Sequence, residues 1–155
     1  MKRRMAVFAA LLVVLAAGSL VFAQNSPFVG TWKLDVASSK YNPGPAPQSQ
    51  TRTWDASGMV MVNSIGATGN ASSYGYTIKT DGKEYPTMGA IPNTADKITS
   101  KKIDPNTIEA NFTKAGKHVE TTTFTLSNGG KTLTIHAKGV SPAGDFDNVI
   151  VWNKQ

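Results

Sequence analysis

The segment Phe28-Val29-Gly30-Thr31-Trp32-Lys33-Leu34-Asp35 is the first strand-like run after a basic and apolar N-terminal segment. Its central Gly-Thr-Trp combines the smallest residue with the largest. A glycine in a strand marks a place where a neighbour approaches closely, and a large indole ring can fill an interior where strands converge. We therefore interpret Gly30 and Trp32 as structural residues of an all-β domain.

Residues 1–23 have the pattern of a cleavable signal peptide. Residues 2–4 are Lys-Arg-Arg, an apolar run covers 5–17, and Val21-Phe22-Ala23 has the small-x-small form of a cleavage site. The apolar run is shorter than the ~20 residues that a membrane span needs, so a retained anchor is the less favoured alternative. We expect cleavage after Ala23, export to the periplasm or the medium, and no stable membrane insertion of the mature chain 24–155.

The composition limits the classes of function. The chain has 16 basic and 10 acidic side chains, and removal of Lys2, Arg3 and Arg4 leaves 13 basic ones, a formal charge of about +3. This small excess does not indicate a nucleic-acid partner. The absence of cysteine excludes disulfides, thiol catalysis and thiolate metal sites. The mature chain has the size of one domain and must be held together by its core.

Short alternating runs, separated by turn residues, recur about every 8–12 positions, which is typical of a β-sandwich or barrel. They predict strands over 28–35, 51–55, 59–65, 71–80, 83–85, 96–103, 108–113, 117–126, 131–138 and 146–153. Nine or ten strands in simple sequential order favour an antiparallel meander barrel of 8–10 strands, because closure removes the exposed edges. A β-sandwich is the main alternative.

The connections carry more specific expectations. The Pro-rich segment 42–49 has three alternating prolines that favour extended geometry, so we predict a strap or long loop. Before it, 36–41 could form a single helical turn. Asp81-Gly82 is a two-residue hairpin signal of type I′. Residues 87–94 and 139–144 are predicted loops, and a bulge is expected before the turn at 104–107.

The opening segment 28–34 is similar, residue for residue, to the start of many intracellular fatty-acid-binding proteins, and Gly30-Thr31-Trp32 resembles the first motif of the lipocalins. The final run 149–154 stands where these calycin barrels have their closing strand. The chain also resembles a group of small exported bacterial proteins of undetermined function. The resemblance implies a barrel in which Trp32 packs across the closed end.

The chain departs from the fatty-acid-binding pattern where that family binds its ligand. The family holds the ligand carboxylate with an Arg-x-Tyr near the C-terminus, and Ile150 and Trp152 stand at the matching positions here. Arg52 is the only arginine of the mature chain, so a cluster of arginines on an anionic head group is excluded. The strap also replaces the two-helix lid. An intracellular type of fatty-acid carrier is therefore not supported.

No constellation of catalytic or metal-binding residues is apparent in the sequence. His118 and His136 are isolated and lack ligand spacing. No nucleophile elbow or phosphate-binding glycine loop occurs, and nothing brings two of the carboxylates Asp35, Asp55 and Glu120 together. We therefore expect a protein without catalytic residues, metal or cofactor.

The interior is the remaining candidate for function. Aromatic and basic residues on alternating positions suggest a ligand pocket, since apolar walls with a few polar groups are typical of such pockets. The candidate residues are Arg52, Trp54, Tyr74, Tyr76, Phe112, Phe124 and Trp152. For the subset of Arg52, Trp54, Tyr74 and Tyr76, an outer-face cross-strand cluster is slightly favoured over a pocket.

Two functions follow from these patterns. The first is an exported, non-enzymatic barrel that binds a small apolar or amphipathic molecule. The second is a barrel or sandwich with a filled core whose outer face or strap binds a protein or an envelope polymer. The sequence does not indicate the oligomeric state.

Overall fold

A computed structural model describes residues 26–155, which form ten antiparallel strands in a closed barrel. Each strand pairs with its neighbours in sequence, and β1 also pairs with β10 to complete the ring. The predicted meander barrel is confirmed, and the sandwich alternative is wrong. The strands are β1 Gly30–Lys40, β2 Ser49–Trp54, β3 Met59–Ile65, β4 Ala71–Thr77, β5 Tyr85–Gly89, β6 Lys97–Asp104, β7 Thr107–Lys114, β8 Lys117–Ser127, β9 Thr132–Ser141 and β10 Gly144–Lys154.

Strand β1 closes the barrel by pairing on both of its edges. Trp32 lies opposite Arg52 of β2 on one side and opposite Lys154 of β10 on the other. Two residues further on, Leu34 lies opposite Trp152. Because directly opposed residues of antiparallel strands point to the same face, this register places Arg52 and Trp152 inside the barrel on either side of β1.

Buried aromatic side chains cluster towards the end of the barrel where the chain enters, which we call the floor end (residues 26–29 and the turns β2–β3 and β6–β7). Trp32 is fully buried there, and its Nε1 donates a hydrogen bond to the carbonyl oxygen of Phe28 at 3.0 Å. The Phe28 ring lies 5.0 Å from that of Trp54, and the Trp54 ring lies 5.6 Å from that of Phe124. Phe28 of the N-terminal segment thus packs on Trp54 in a tilted arrangement, and Trp54 meets Phe124 edge-on, so aromatic rings fill much of this end.

The opposite end, which we call the strap end, carries the connection from β1 to β2. This connection covers 41–48 and is mostly exposed, and Ser49, the last residue of the predicted strap, belongs to β2. Asn42 holds the connection to β10, because its carbonyl oxygen accepts from Asp147 N at 2.7 Å and its N–H donates to Asn148 Oδ1 at 2.8 Å. The strap therefore rests against the closing strand.

The helical turn predicted over 36–41 is wrong, because β1 continues to Lys40 through a bulge. The backbone N–H and hydroxyl of Ser38 donate to the Asp35 carboxylate at 3.1 and 2.9 Å. The Ser39 hydroxyl donates to the Asp35 carbonyl oxygen at 2.6 Å and accepts from Val151 N at 2.9 Å. These serine contacts replace the missing ladder bonds, so the strand keeps its place beside β10.

Three further expectations about connections are wrong. Asp81 is not at the tip of a two-residue hairpin: positive φ occurs at Thr80 and Gly82 but not at Asp81, which instead bridges to Lys101. The predicted strand 71–80 ends at 77, and β5 begins at 85 and includes Pro86, so part of the predicted loop 87–94 is strand. The predicted loop 139–144 is mostly strand as well. The predicted bulge before the β6–β7 turn is confirmed, between Lys102 and Asp104.

Gly139 on β9 marks a close approach of two strands. A Cβ atom there would contact the Val119 carbonyl oxygen and would lie 2.8 Å from Glu120 Cα. We expect Gly139→Ala to lower the free energy of unfolding by about 1–3 kcal/mol, the usual cost of overpacking, as measured by urea denaturation. Gly66→Ala is the matched control, because its nearest contact would be an ordinary 3.5 Å. Equal stabilities of the two variants would contradict this prediction.

None of the helices within residues 26–155 is long and apolar enough to cross a membrane. The predicted signal peptide 1–23 and the cleavage site after Ala23 lie outside the described residues.

Candidate functional site

Arg52 is the centre of a cluster of polar and aromatic groups inside the barrel. Its side chain is 4% exposed. The guanidinium carbon lies 4.8 Å from the ring centre of Trp152, 5.8 Å from that of Tyr76 and 5.9 Å from that of Phe124. One of its terminal nitrogens, Nη1, donates to the Tyr76 hydroxyl at 2.5 Å. Three aromatic rings therefore surround the cation, and each can attract it through its π face.

Within residues 26–155, the positive charge of Arg52 has no carboxylate partner at ion-pairing distance. The ion pairs among residues 26–155 all involve other basic side chains. Removing an ionised group from water is costly unless an opposite charge and hydrogen bonds compensate for it. The Tyr76 hydroxyl and the ring faces supply only part of that compensation.

Three buried donor groups of this region make no hydrogen bond within the described part of the chain: Arg52 Nε, Trp152 Nε1 and the Tyr41 hydroxyl. The Tyr41 hydroxyl is close enough to Arg52 for the guanidinium charge to act on it, yet burial raises its pKa to about 12. It therefore stays protonated at neutral pH and remains a donor. Buried donors without acceptors are uncommon in folded proteins, and these three occur around one cation.

Tyr74 and Tyr76 extend the cluster along β4. Their rings are stacked, with centres 6.4 Å apart, and the Tyr76 ring meets Phe112 edge-on at 5.3 Å. Desolvation raises the pKa of both hydroxyl groups. The nearby Arg52 charge lowers these pKa values, but its effect is smaller. Both tyrosines are therefore neutral donors, with apolar ring surface facing the barrel interior.

Glu120 is a member of this interior that the sequence analysis missed. Its carboxylate accepts hydrogen bonds from the Thr122 hydroxyl and, at 2.5 Å, from Asn93 Nδ2. Burial raises its pKa above the ordinary carboxyl value, although both hydrogen bonds and the Arg52 charge oppose that shift. Alternation along β8 could have revealed it, since Glu120 has the same parity as the buried Phe124 and Leu126.

Glu120→Gln should make the barrel less sensitive to rising pH. The folded state holds the Glu120 proton more tightly than the unfolded chain does. The associated stabilisation is therefore complete below the unfolded pKa and disappears as the pH rises through the folded pKa. In urea denaturation between pH 4 and 8, the variant should gain stability relative to the wild type as the pH increases. The prediction would be contradicted if the stability of Glu120→Gln relative to the wild type did not change with pH, or if it increased as the pH falls.

The structure brings all seven candidate residues together on the inner face of the barrel. Six of them are at most 4% exposed, and Tyr74 is half-buried; the fully buried ones are Phe124 and Trp152. The outer-face interpretation of Arg52, Trp54, Tyr74 and Tyr76 is therefore wrong. It failed because period-two alternation shows which residues share a face but not which face points inward.

Burial of the inner face decreases towards the strap end. Near the floor end the inward side chains are fully buried, whereas Tyr74, Phe146 and Ile150 are half-buried and pack against the core from the other side. Tyr41, at the start of the strap connection, is half-buried as well. We call these half-buried residues, Tyr41, Tyr74, Phe146 and Ile150, the mouth.

Two cavities lie elsewhere on the barrel. The first, of about 570 Å³, lies at the floor end between the N-terminal segment and the turns, and Trp54 is the one candidate residue that lines it. Its lining mixes apolar side chains such as Ile78 and Ile108 with Lys79 and Lys102. The second, of about 450 Å³, is a polar groove along β2, β3 and β4, lined mainly by outward-facing residues.

The two histidines lie on the surface, away from Arg52. His118 Nε2 is 2.9 Å from the Thr121 hydroxyl, and His136 Nε2 is 2.7 Å from a carboxylate oxygen of Asp147. Both are exposed. Within residues 26–155, no group of three histidine, cysteine or acidic residues is arranged to hold a metal ion.

No family model matches the chain, and no curated protein matches it. Among solved structures, the chain is similar to the crystal structure of zebrafish ileal bile acid-binding protein complexed with cholic acid. The two share 12% sequence identity and a TM-score of 0.48, over 84% of this chain and 100% of the other. The fold assignment rests on the strand pairing described above.

Proposed function

We propose that this protein is an exported, non-enzymatic barrel that binds a small amphipathic molecule. The polar end of the ligand, an anionic or strongly accepting group, lies at Arg52, and its apolar part points to the strap end. The observation that carries this proposal is the buried Arg52, whose charge has no carboxylate partner and whose Nε has no acceptor within residues 26–155.

A hydrogen-bond acceptor next to Arg52 would compensate for the buried positive charge and for the buried donors that lack acceptors. A carboxylate, sulfate or similar oxyanion accepts charge-assisted hydrogen bonds from a guanidinium, which are stronger than neutral ones. Trp152 Nε1 and the Tyr41 hydroxyl are further donors without partners in the described chain. The cluster therefore offers hydrogen-bond donors to an oxygen-rich group.

The mouth supplies the surface for the apolar part of the ligand. Tyr74, Phe146 and Ile150 are half-buried and present apolar groups on the inner face of the barrel. Covering such surface contributes about 25 cal/mol per Å² removed from water. The ligand class that fits is an amphiphile with one compact polar end.

The residues around Arg52 favour binding over catalysis. They supply hydrogen-bond donors, ring faces and the Glu120 carboxyl, while His118 and His136 lie on the surface. A hydroxyl nucleophile needs an adjacent oriented base, and no histidine lies in this cluster.

A second candidate is an interaction module with a filled core. The near-complete burial of six candidate residues favours it, since a packed interior leaves less room for a ligand. In that case the exposed strap, with Pro43 and Pro45 on its surface, contacts a protein or an envelope polymer. Deleting the strap would then abolish capture of that partner while the barrel remains folded.

Binding of a matched pair of fluorescent amphiphiles tests the proposal. The chain 24–155 is titrated with a dansyl-labelled C11 carboxylic acid and with its methyl ester, and native mass spectrometry gives the stoichiometry. We expect one acid molecule per chain, bound at least tenfold more tightly than the ester. Ala56→Trp, which reduces the floor-end cavity, should leave this binding unchanged. Absence of acid binding, or loss of binding in Ala56→Trp, would refute the Arg52 site.

Export is tested separately by the mass of the mature protein. We expect protein recovered outside the cytoplasm to begin at Gln24, because residues 21–23 form the predicted cleavage site. Intact mass spectrometry and N-terminal sequencing give the result directly. A recovered chain that still begins near Met1 would contradict the signal-peptide assignment.

A further inference from the structure

All three methionines of residues 26–155 lie on one patch of the outer barrel surface, on β3 and β5. Met61 of β3 lies opposite Gly75 of β4, and Gly75 in turn lies opposite Met88 of β5. Met59 points to the same face as Met61, two residues earlier on β3. The strand pairing, and not proximity in the chain, brings Met88 to the other two.

The absence of a side chain at Gly75 allows the side chains of Met61 and Met88 to approach each other. A Cβ atom on Gly75 would contact Met61 Sδ and would lie 3.3 Å from Met88 Cγ. Both side chains therefore lie over this glycine from opposite sides. Although Gly75 faces outward, it is buried, because the two methionines cover it.

The patch is accessible and differs from the surface around it. Met88 is 41% exposed, and Met59 and Met61 are half-buried. Their neighbours on the same strands and faces are polar, namely Asn63 and Ser73. Three polarizable thioethers thus share one solvent-accessible face of neighbouring strands, next to the polar Asn63 and Ser73.

We infer that this methionine patch, consisting of Met59, Met61 and Met88, binds a soft monovalent cation, Cu(I). Thioether sulfur is a soft ligand that selects Cu(I) over the hard and borderline divalent ions. Methionine has flexible side-chain torsions, so the thioethers of Met61 and Met88 over Gly75, and that of Met59 two residues from Met61, can adjust to a common ion. The patch lies on the outer face, so this binding is independent of the ligand proposed at Arg52.

Titration with Ag(I), a redox-inert probe for Cu(I), tests the inference. The chain 24–155 contains all ten strands, and after release from a cleavable tag its only methionines are those of the patch. We expect one Ag(I) per chain by native mass spectrometry and retention of one Cu(I) against a chromophoric chelator. In ¹³C-methyl-labelled protein, Ag(I) should shift all three methionine resonances.

Leucine substitutions separate metal binding from apolar docking, because leucine keeps the apolar volume and removes the sulfur. Met61→Leu and Met88→Leu should each weaken Ag(I) binding at least tenfold, and the triple leucine variant should not bind it. Wild-type protein that binds neither Ag(I) nor Cu(I) would overturn the inference. Equal binding by the triple variant, unshifted methionine resonances, or a preference for Zn(II) or Cu(II) at this patch would overturn it as well.

Discussion

Trp32→Ala is expected to lower the free energy of unfolding by about 3–5 kcal/mol, the range for removing a large aromatic residue from a core. Trp32 is completely buried, and its Nε1 donates to the carbonyl oxygen of Phe28. The substitution leaves a cavity at the floor end and an acceptor without its donor. It also acts on the strand that closes the barrel, since Trp32 is paired with Arg52 and Lys154 on its two sides.

Urea denaturation followed by far-UV circular dichroism measures this effect. Thr31→Ala is the matched control, because Thr31 is the outward-facing neighbour of Trp32 and is exposed; surface changes of this kind usually alter stability by less than about 0.5 kcal/mol. Trp32→Phe keeps most of the ring and should lie between the two. A loss below about 1 kcal/mol in Trp32→Ala would show that Trp32 is not essential for closing this end.

Replacing Arg52 with methionine, together with Tyr76→Phe, should weaken binding of the anionic amphiphile about 10–100-fold, because a hydrogen bond to a charged group is lost. The same double variant should gain about 1–3 kcal/mol of stability, since apolar residues often replace a buried charge at no cost or with a gain. Phenylalanine at 76 avoids leaving the Tyr76 hydroxyl without its Arg52 partner. The double variant would thus be more stable than the wild type but would bind the ligand more weakly.

The single variant Tyr76→Phe is the control for this prediction. It removes the one hydrogen bond that the guanidinium makes within residues 26–155, so it should be less stable than both the wild type and the double variant. Isothermal titration with the dansyl acid and urea denaturation give the two quantities. If the double variant binds the acid as tightly as the wild type, Arg52 does not contribute to ligand binding. If the double variant is markedly less stable than the wild type, Arg52 serves to stabilise the core.

Much of the architecture was predictable from local pattern. In β7, Ile108, Ala110 and Phe112 alternate with polar residues, and all three are buried. The turn at 104–107 and the bulge before it were also predicted. These features depend on neighbouring residues alone, because alternation and turn chemistry are local properties of the backbone.

Features that depend on pairing were mispredicted. The serine-held bulge of β1 requires the edge of β10, since Ser39 accepts from Val151 far away in the chain. Strand β5 contains Pro86 and has few local signals, and its pairing with β4 and β6 establishes it as a strand. The interior position of Glu120 depends in the same way on which face of β8 points inward.

The sequence by itself determined the all-β class, a sequential meander of 8–10 strands, the solitary arginine of residues 24–155 and the plug-like Trp32. Only the tertiary structure decided that Arg52 faces inward among Tyr76, Phe124 and Trp152, that Glu120 shares this interior, and that Met61 and Met88 meet over Gly75. The physical reason is that alternation has a period of two and is symmetric between the two faces of a sheet. Which face becomes the interior, and which residues of distant strands become neighbours, is decided by closure of the barrel and its register.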